Sequence, residues 1–263
     1  GGPFGGSGTQ YFTGDFDGTT FKADTDASGQ VITKWLDFGK DNYATVSWSD
    51  APDGRRTIIG WMSNWQYAAE VPTMQFRSAN TLPREIGLFM GADGQVYASS
   101  MPSPEVAALR GDVVSAASRF TAKPGARDFK LPVANDGVCE ITMDIDLNRS
   151  KKVVLELSNR QGDKVTMTCD GSTFSFDRNN SGIVDFSQEF PAVTESPTFS
   201  GDRKVSLRIF VDRSSIEVFG EDGRFAMTNL VFPNEPYSTL SVSAEGGNAS
   251  VSNLKIYSIN IDK

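Results

Sequence analysis

The 263 residues contain no histidine, and cysteine occurs twice, as Cys139 and Cys169. That inventory removes the Ser-His-Asp and Cys-His nucleophile systems and any His-ligated zinc centre. Any chemistry falls to carboxylates, hydroxyls and lysines. Cys139 and Cys169 either bond to each other or remain as small buried thiols, and free, buried residues are the expectation. One carboxylate pair invites attention, because Asp212 and Glu217 flank Arg213-Ser214-Ser215. The residues on either side alternate cleanly around what reads as a tight turn. Asp212 is therefore expected to serve the turn, and Glu217 to lie on the exposed face opposite Ile216 and Val218, with no catalytic role for the pair. The opening GGPFGGSG is glycine-rich but lacks the Gly-Lys-Ser/Thr of a phosphate loop and runs into Gln10-Tyr11-Phe12. It reads as a loop that reaches a neighbouring strand.

The elements that must position these residues read as strands. Turn signals such as Asp17-Gly18, Asp53-Gly54, Asp93-Gly94, Asp222-Gly223 and Gly246-Gly247 separate β-branched and aromatic runs. Tyr43 to Ser49, the turn DAPDGR and the run TIIGWM form a predicted hairpin, as do 204–210 and 215–219. Val153, Leu155 and Leu157 fall on one face of their run, with Glu156 and Ser158 on the other, the pattern of a half-buried antiparallel strand. A single segment, Ser103 to Arg110, reads as a short helix with a capping serine, proline at its first position and glycine just after. All four tryptophans (Trp35, Trp48, Trp61, Trp65) precede it. That change of composition sets a boundary over 101–112, between a tryptophan-rich β unit and a β-sandwich of about 150 residues, the size of one such domain.

Composition narrows the partners. Hydrophobic content of 38% with 22% charged residues is that of a globular protein. No apolar run approaches the roughly 20 residues of a membrane span. A net charge of −8 without any Lys/Arg cluster argues against nucleic acid. With 11% aromatic residues, a neutral carbohydrate fits better. The first residue is glycine and no signal peptide is recognisable, so the chain is expected to be part of something longer.

Several runs taken together carry a resemblance. They are GTQYFTGDFDGTTF (8–21), LDFGKDNYATVSW (36–48), GWMSNWQYA (60–68), VPTMQFRSANTLPREIGL (71–88) and RIFVDRSSIEVFGEDGR (208–224). In order and spacing they resemble the second half of glycoside hydrolase family 32, the invertase, inulinase and levanase type. The resemblance implies an all-β fold: the last blades of a five-bladed β-propeller followed by a C-terminal β-sandwich. Residues 1–101 would be about two blades, 102–111 a linker with the short helix, and 112–263 the sandwich. The family's retaining mechanism needs two carboxyl groups roughly 5–5.5 Å apart. The motifs that hold its nucleophile, its stabilising aspartate and its acid/base glutamate have no counterpart here: the sequence contains no Asn-Asp-Pro, no Arg-Asp-Pro and no Glu-Cys. The resemblance therefore implies no catalytic residue in this chain.

What it does imply is part of a substrate site. Asp41 and Tyr43, in GKDNYA, match a family motif whose aspartate lies at the rim of the fructose pocket, where a carboxylate accepts from vicinal hydroxyls. The alternative for Asp41 is a cap on the turn before its strand. Trp61 and Trp65 offer faces on which a sugar ring can stack; Trp61 is expected to be core and Trp65 to lie at the rim. Phe76 stands where many relatives carry tryptophan, beside the family's Arg77-Ser78 pair, and Arg77 is expected to brace blade contacts. The implied parent reaction is hydrolysis of terminal fructosyl bonds in fructan or sucrose, without metal or organic cofactor, in a secreted, periplasmic or cell-surface setting. The implied partners are that substrate and either the remaining blades or a second copy of the chain. A non-catalytic carbohydrate-binding or structural β module is the alternative. An unrelated sandwich lectin leaves the motifs of residues 8–88 unexplained.

Overall fold

The computed structural model describes residues 1–260; the last three residues of the unit expected over 112–263 lie outside it. The first part of the chain contains β1 (Gln10–Tyr11), β2 (Gly14–Phe16), β3 (Phe21–Ala23), β4 (Lys34–Trp35), β5 (Tyr43–Ser47), β6 (Thr57–Met62), β7 (Ala79–Asn80), β8 (Arg84–Met90) and β9 (Val96–Pro102). They form one five-stranded antiparallel sheet in the order β5-β6-β8-β9, with β7 also paired to β6, and two short ribbons, β1-β4 and β2-β3. The hairpin expected over residues 43–62 is present, with Tyr43 opposite Trp61 and Ser47 opposite Ile58. The Asp17 turn forms for a local reason: its Oδ1 accepts from the backbone N–H of Thr19 at 2.8 Å and of Thr20 at 2.7 Å.

The second part contains β10 (Arg110–Ala122), β11 (Arg127–Lys130), β12 (Cys139–Asp146), β13 (Lys152–Ser158), β14 (Lys164–Cys169), β15 (Thr173–Asn180), β16 (Val193–Pro197), β17 (Lys204–Val211), β18 (Ser215–Gly220), β19 (Phe225–Leu230), β20 (Thr239–Glu245) and β21 (Ala249–Ile259). These make two six-stranded antiparallel sheets, β10-β21-β12-β17-β18-β19 and β11-β20-β13-β14-β15-β16. Their inward residues belong to one apolar cluster: Ile141, Val218 and Leu254 of the first sheet meet Leu155, Met167, Phe176 and Val242 of the second. Alternation predicts this, and each such side chain contributes roughly 1.5–3 kcal/mol by leaving water. Cys139 and Cys169 are free and buried in the same cluster.

The expected helix over Ser103–Arg110 is a 3₁₀ segment, Pro104–Leu109, and Ser103 makes no side-chain cap. Its backbone N–H instead donates to the Pro83 carbonyl at 2.8 Å, so the turn is fixed by the preceding sheet and not by its own cap. The two parts meet in smaller clusters. Met62, Tyr67 and Val71 pack with Phe190, Leu230 and Phe232, while Val106 packs with Phe210, Phe219 and Ala226. The edge strand β19 is also covered. Residues 37–41 run along it, with the Phe38 N–H donating to the Ala226 carbonyl at 2.8 Å and the Asp41 N–H to the Thr228 carbonyl at 3.0 Å. Gly39 faces β19 so closely that a Cβ there would lie 2.0 Å from the Thr228 carbonyl oxygen. The LDFGKD run is thus a strap that seals an otherwise unpaired edge.

Candidate functional site

At the end of that strap Asp41 is completely buried. Its Oδ1 accepts from the Tyr67 hydroxyl at 2.5 Å, and its Oδ2 accepts from Arg178 Nη1 at 2.6 Å and from the Leu230 N–H at 2.8 Å. Both carboxylate oxygens are occupied, and the addition of further chain would only deepen the burial. Within this chain Asp41 thus lies beneath the strand that carries Tyr43, with both carboxylate oxygens taken by donors of the protein. It anchors the first part of the chain to the second through an arginine whose own guanidinium lies 3.9 Å from the Phe190 ring centroid. Burial raises the Tyr67 hydroxyl well above the ordinary tyrosine value, so it stays protonated and serves as the donor. Burial also lowers the Lys40 ammonium, aided by the Arg178 charge.

From the next residues the chain turns outward. Tyr43 is half exposed, and Trp61 lies opposite it in the hairpin with ring centroids 6.4 Å apart, edge to face. Trp65 packs on Trp61 with centroids 5.0 Å apart and is 72% exposed. These three rings make an open aromatic platform, with Trp61 as its half-buried floor and Trp65 as its rim. The glycine-rich opening positions it. Asn64, wholly buried, accepts at Oδ1 from the N–H groups of Ser7 and Gln66, while its Nδ2 donates to the carbonyls of Lys40 and Gly5. The Trp65 N–H donates to Ser7 Oγ at 3.1 Å. A Cβ on Gly6, whose φ is +65°, would lie 2.0 Å from Asn64 Oδ1. The opening is thus a loop, as the sequence predicts, but the contacts above hold it to residues 64–66 after β6 and not to a strand, and its glycines allow the close approach.

Phe76 and Arg77 are elsewhere. Phe76 is 52% exposed and lines a cleft with Met62 and Ala79. Met62 and Trp61 are neighbours on one strand and so point to opposite faces. Arg77 donates from Nη1 to the Val71 carbonyl, a brace within its own loop. The sheet therefore brings Tyr43 and Trp65 together and separates Phe76 and Arg77 from them.

Glu217 needs correction. It is 4% exposed, not on an open face, because residues 82–84 of the first part cover the outer side of β18. Glu217 Oε1 accepts from the Leu82 N–H at 2.9 Å and Oε2 from Arg84 Nη2 at 2.5 Å. The same guanidinium donates to Asp37 at 2.8 Å and to Thr228 Oγ1 at 2.6 Å. Burial pushes the Glu217 carboxyl above its ordinary value against the pull of Arg84, as expected where two carboxylates share one guanidinium. Asp212 does serve the turn, its Oδ1 accepting from the Arg213 N–H at 2.7 Å. Arg178, Tyr67 and Asn64 escape a reading by motif. For Arg178 a signal existed, since it shares the alternating inward face of β15 with Phe174 and Phe176.

Residues 3–100 match the family model for the N-terminal domain of glycosyl hydrolases family 32, and residues 105–258 match the family's C-terminal model. The chain belongs to glycoside hydrolase family 32. Among curated members it is similar to a levanase of Bacillus subtilis (strain 168), with 38% identity over 96% of this chain and 38% of that protein. It is also similar to an extracellular exo-inulinase of Aspergillus awamori, with 33% identity over 98% of this chain and 50% of that protein. The crystal structure of exo-inulinase from Aspergillus awamori superposes with a TM-score of 0.84 at 28% identity, over 96% of this chain and 50% of that one. The chain thus spans half or less of the length of these family 32 relatives, and its all-β architecture is that of the family.

Proposed function

We propose that this chain is the C-terminal portion of a β-fructosidase that hydrolyses terminal fructosyl bonds of fructan or sucrose with retention, and that it is inactive alone. The observation that carries the reading is the family match along nearly the whole chain, combined with a sequence that contains none of the three carboxylate motifs. A retaining site needs a nucleophile and an acid/base about 5–5.5 Å apart. In this reading those groups come from the part of its relatives that the chain does not span. Tyr43 and Trp65 contribute a stacking surface at the pocket mouth, and Trp61 supports them. Asp41 acts from beneath by fixing the strand that carries Tyr43. No proton or bond transfer falls to any of these residues.

The finer architecture belongs to the same proposal. Residues 1–101 are read as about two blades of a five-bladed propeller, 102–111 as the linker and 112–263 as a β-sandwich. The five-stranded sheet, the two six-stranded sheets with a shared core and the separate family matches support this division. A secreted, periplasmic or cell-surface setting is supported by the relative named an extracellular exo-inulinase, and no helix among the described residues is long and apolar enough to cross a membrane. The test is fructose release from sucrose, inulin and levan by the purified chain. No turnover alone, with activity on addition of the N-terminal blades of a relative, is the expected result. Turnover that survives repurification would overturn the reading.

A further inference from the structure

A second aromatic site lies away from the platform and shares none of its three rings. Between β1, β4, the start of β9 and the Pro197–Phe199 segment is a cleft of about 330 Å³, at the low end of ligand-site volumes. Tyr11, Trp35, Tyr97 and Phe199 wall it. Tyr97 and Phe199 are committed to each other and to Phe89, with centroids 5.0–5.6 Å apart. Trp35 is not. Among the described residues it has no aromatic partner, and no hydrogen bond leaves its indole N–H, although it is only half-buried and Gly8 backs it on one side.

The polar groups at the cleft keep spare hydrogen-bonding capacity. Lys34 is 4% exposed, yet no carboxylate pairs with it among the described residues. Its ammonium donates to Thr13 Oγ1 at 2.7 Å and to the Val96 carbonyl at 2.6 Å, which leaves one of its three N–H bonds unused. It lies 4.9 Å from the Tyr97 ring centroid. Arg224 has no hydrogen-bond or carboxylate partner for its guanidinium among the described residues and rests against Phe89. Asp93, at the rim, accepts at Oδ1 from the Gln95 N–H at 3.0 Å and at Oδ2 from the Tyr97 hydroxyl at 2.6 Å, which leaves a lone pair open on each oxygen. An anionic ligand would meet Asp93 as a like charge. A neutral polyol would use all three groups, donating to Asp93 and accepting from Lys34 and Arg224, while the C–H face of its ring covers Trp35.

We propose that this cleft is an accessory fructan-binding site that holds a fructosyl segment on Trp35, with Lys34, Asp93 and Arg224 as its polar contacts. The inference rests on the fructan reading above and adds to it a second point of attachment, through which a polymer would gain avidity. The test is affinity electrophoresis of the whole chain through gels containing levan, inulin or dextran, with circular dichroism to confirm folding. Levan should retard the wild type, and Trp35→Ala and Arg224→Ala should each weaken retardation by ~3- to 10-fold, the range of one lost aromatic or polar contact. Arg224→Ala covers the case in which Trp35→Ala does not fold. Binding that survives Trp65→Ala but falls with Arg224→Ala would support the cleft. Levan binding lost wholly with Trp65→Ala and unchanged in Arg224→Ala would overturn the cleft while leaving the fructan reading intact. Retardation by dextran in place of levan would overturn both.

Discussion

Two arginines carry the attachment between the first and second parts of the chain. Arg84 holds Asp37 and Glu217, and Arg178 holds Asp41 and Tyr67, each in a site closed to water. A buried ion pair is weak evidence of net stability, but removal of one partner leaves an uncompensated charge and costs about 3–5 kcal/mol. Asp41→Asn should therefore lower the unfolding free energy by about that amount, measured by urea denaturation, while Asp15→Asn on the open surface should change it by less than about 0.5 kcal/mol. A small effect at Asp41 would mean that its hydrogen bonds, and not its charge, set the anchor. The sequence conceals this arrangement for a simple reason: Asp41 and Arg178 are 137 positions apart. A motif places Asp41 at a sugar rim, and alternation places Glu217 on an open face. Neither can reveal that a distant segment brings an arginine to each. The platform was more legible, because Tyr43, Trp61 and Trp65 are set by one hairpin and the turn after it, within which spacing determines direction.

At the scale of elements, the strap over residues 37–41 is the feature on which the junction depends. It gives β19 a partner along its free edge, and Gly39 is what lets it lie so close. Gly39→Ala would force the strap away from the Thr228 carbonyl or distort β19, an overpacking cost of about 1–3 kcal/mol. Hydrogen exchange should report it locally, with protection lost at the amides of Phe38 and Asp41 and retained at those of β13 and β14. Equal loss at both places would show that the strap and the second part unfold as one unit. The strands of the second part were legible because residues such as Val153, Leu155 and Leu157 on β13 alternate with polar neighbours and are all buried. The strap was not, since an edge contact made by irregular backbone leaves no period in the sequence. The 3₁₀ form of Pro104–Leu109 was hidden for a related reason: serine and proline mark a helix start, but the Ser103 side chain makes no cap, and a contact with Pro83, ahead of β8, holds the segment in a way that no local spacing records.

For the molecule as a whole, acid acts on two opposed carboxylates. Burial alone would raise the Glu140 carboxyl, but hydrogen bonds from Arg110 and Arg208 outweigh it and hold it below the ordinary 4.5. Its stabilising share is present above that value and is lost as pH falls through the folded one. Glu217 has the opposite sign, since burial raises it; its share is present at low pH and is lost as pH rises through the folded value. Melting temperature followed from pH 7 downward should fall less steeply in Glu140→Gln than in the wild type and more steeply in Glu217→Gln. Parallel curves would show that neither group governs the acid response.

Acid also bears on association, through a different property of the molecule. Twelve of the seventeen large apolar side chains exposed among the described residues lie before residue 91, including Phe16, Val46, Trp65, Met74 and Leu88. The buried apolar residues there are Ile58, Met62, Tyr67, Ala68 and Val71, against several dozen in the second part. A surface so uncovered is a template for contact with another chain. At neutral pH the net charge of −8 opposes such contact, and near the isoelectric point of about 4.7 that opposition vanishes. Light scattering should therefore give a mass above the 28.5 kDa monomer, rising toward pH 4.7, with an apolar dye binding in parallel. Addition of the N-terminal part of a family 32 relative should suppress both signals by covering the same faces. A clean monomer that binds no dye at either pH would mean that these side chains are already covered in solution, and that the uncovered surface needs no partner.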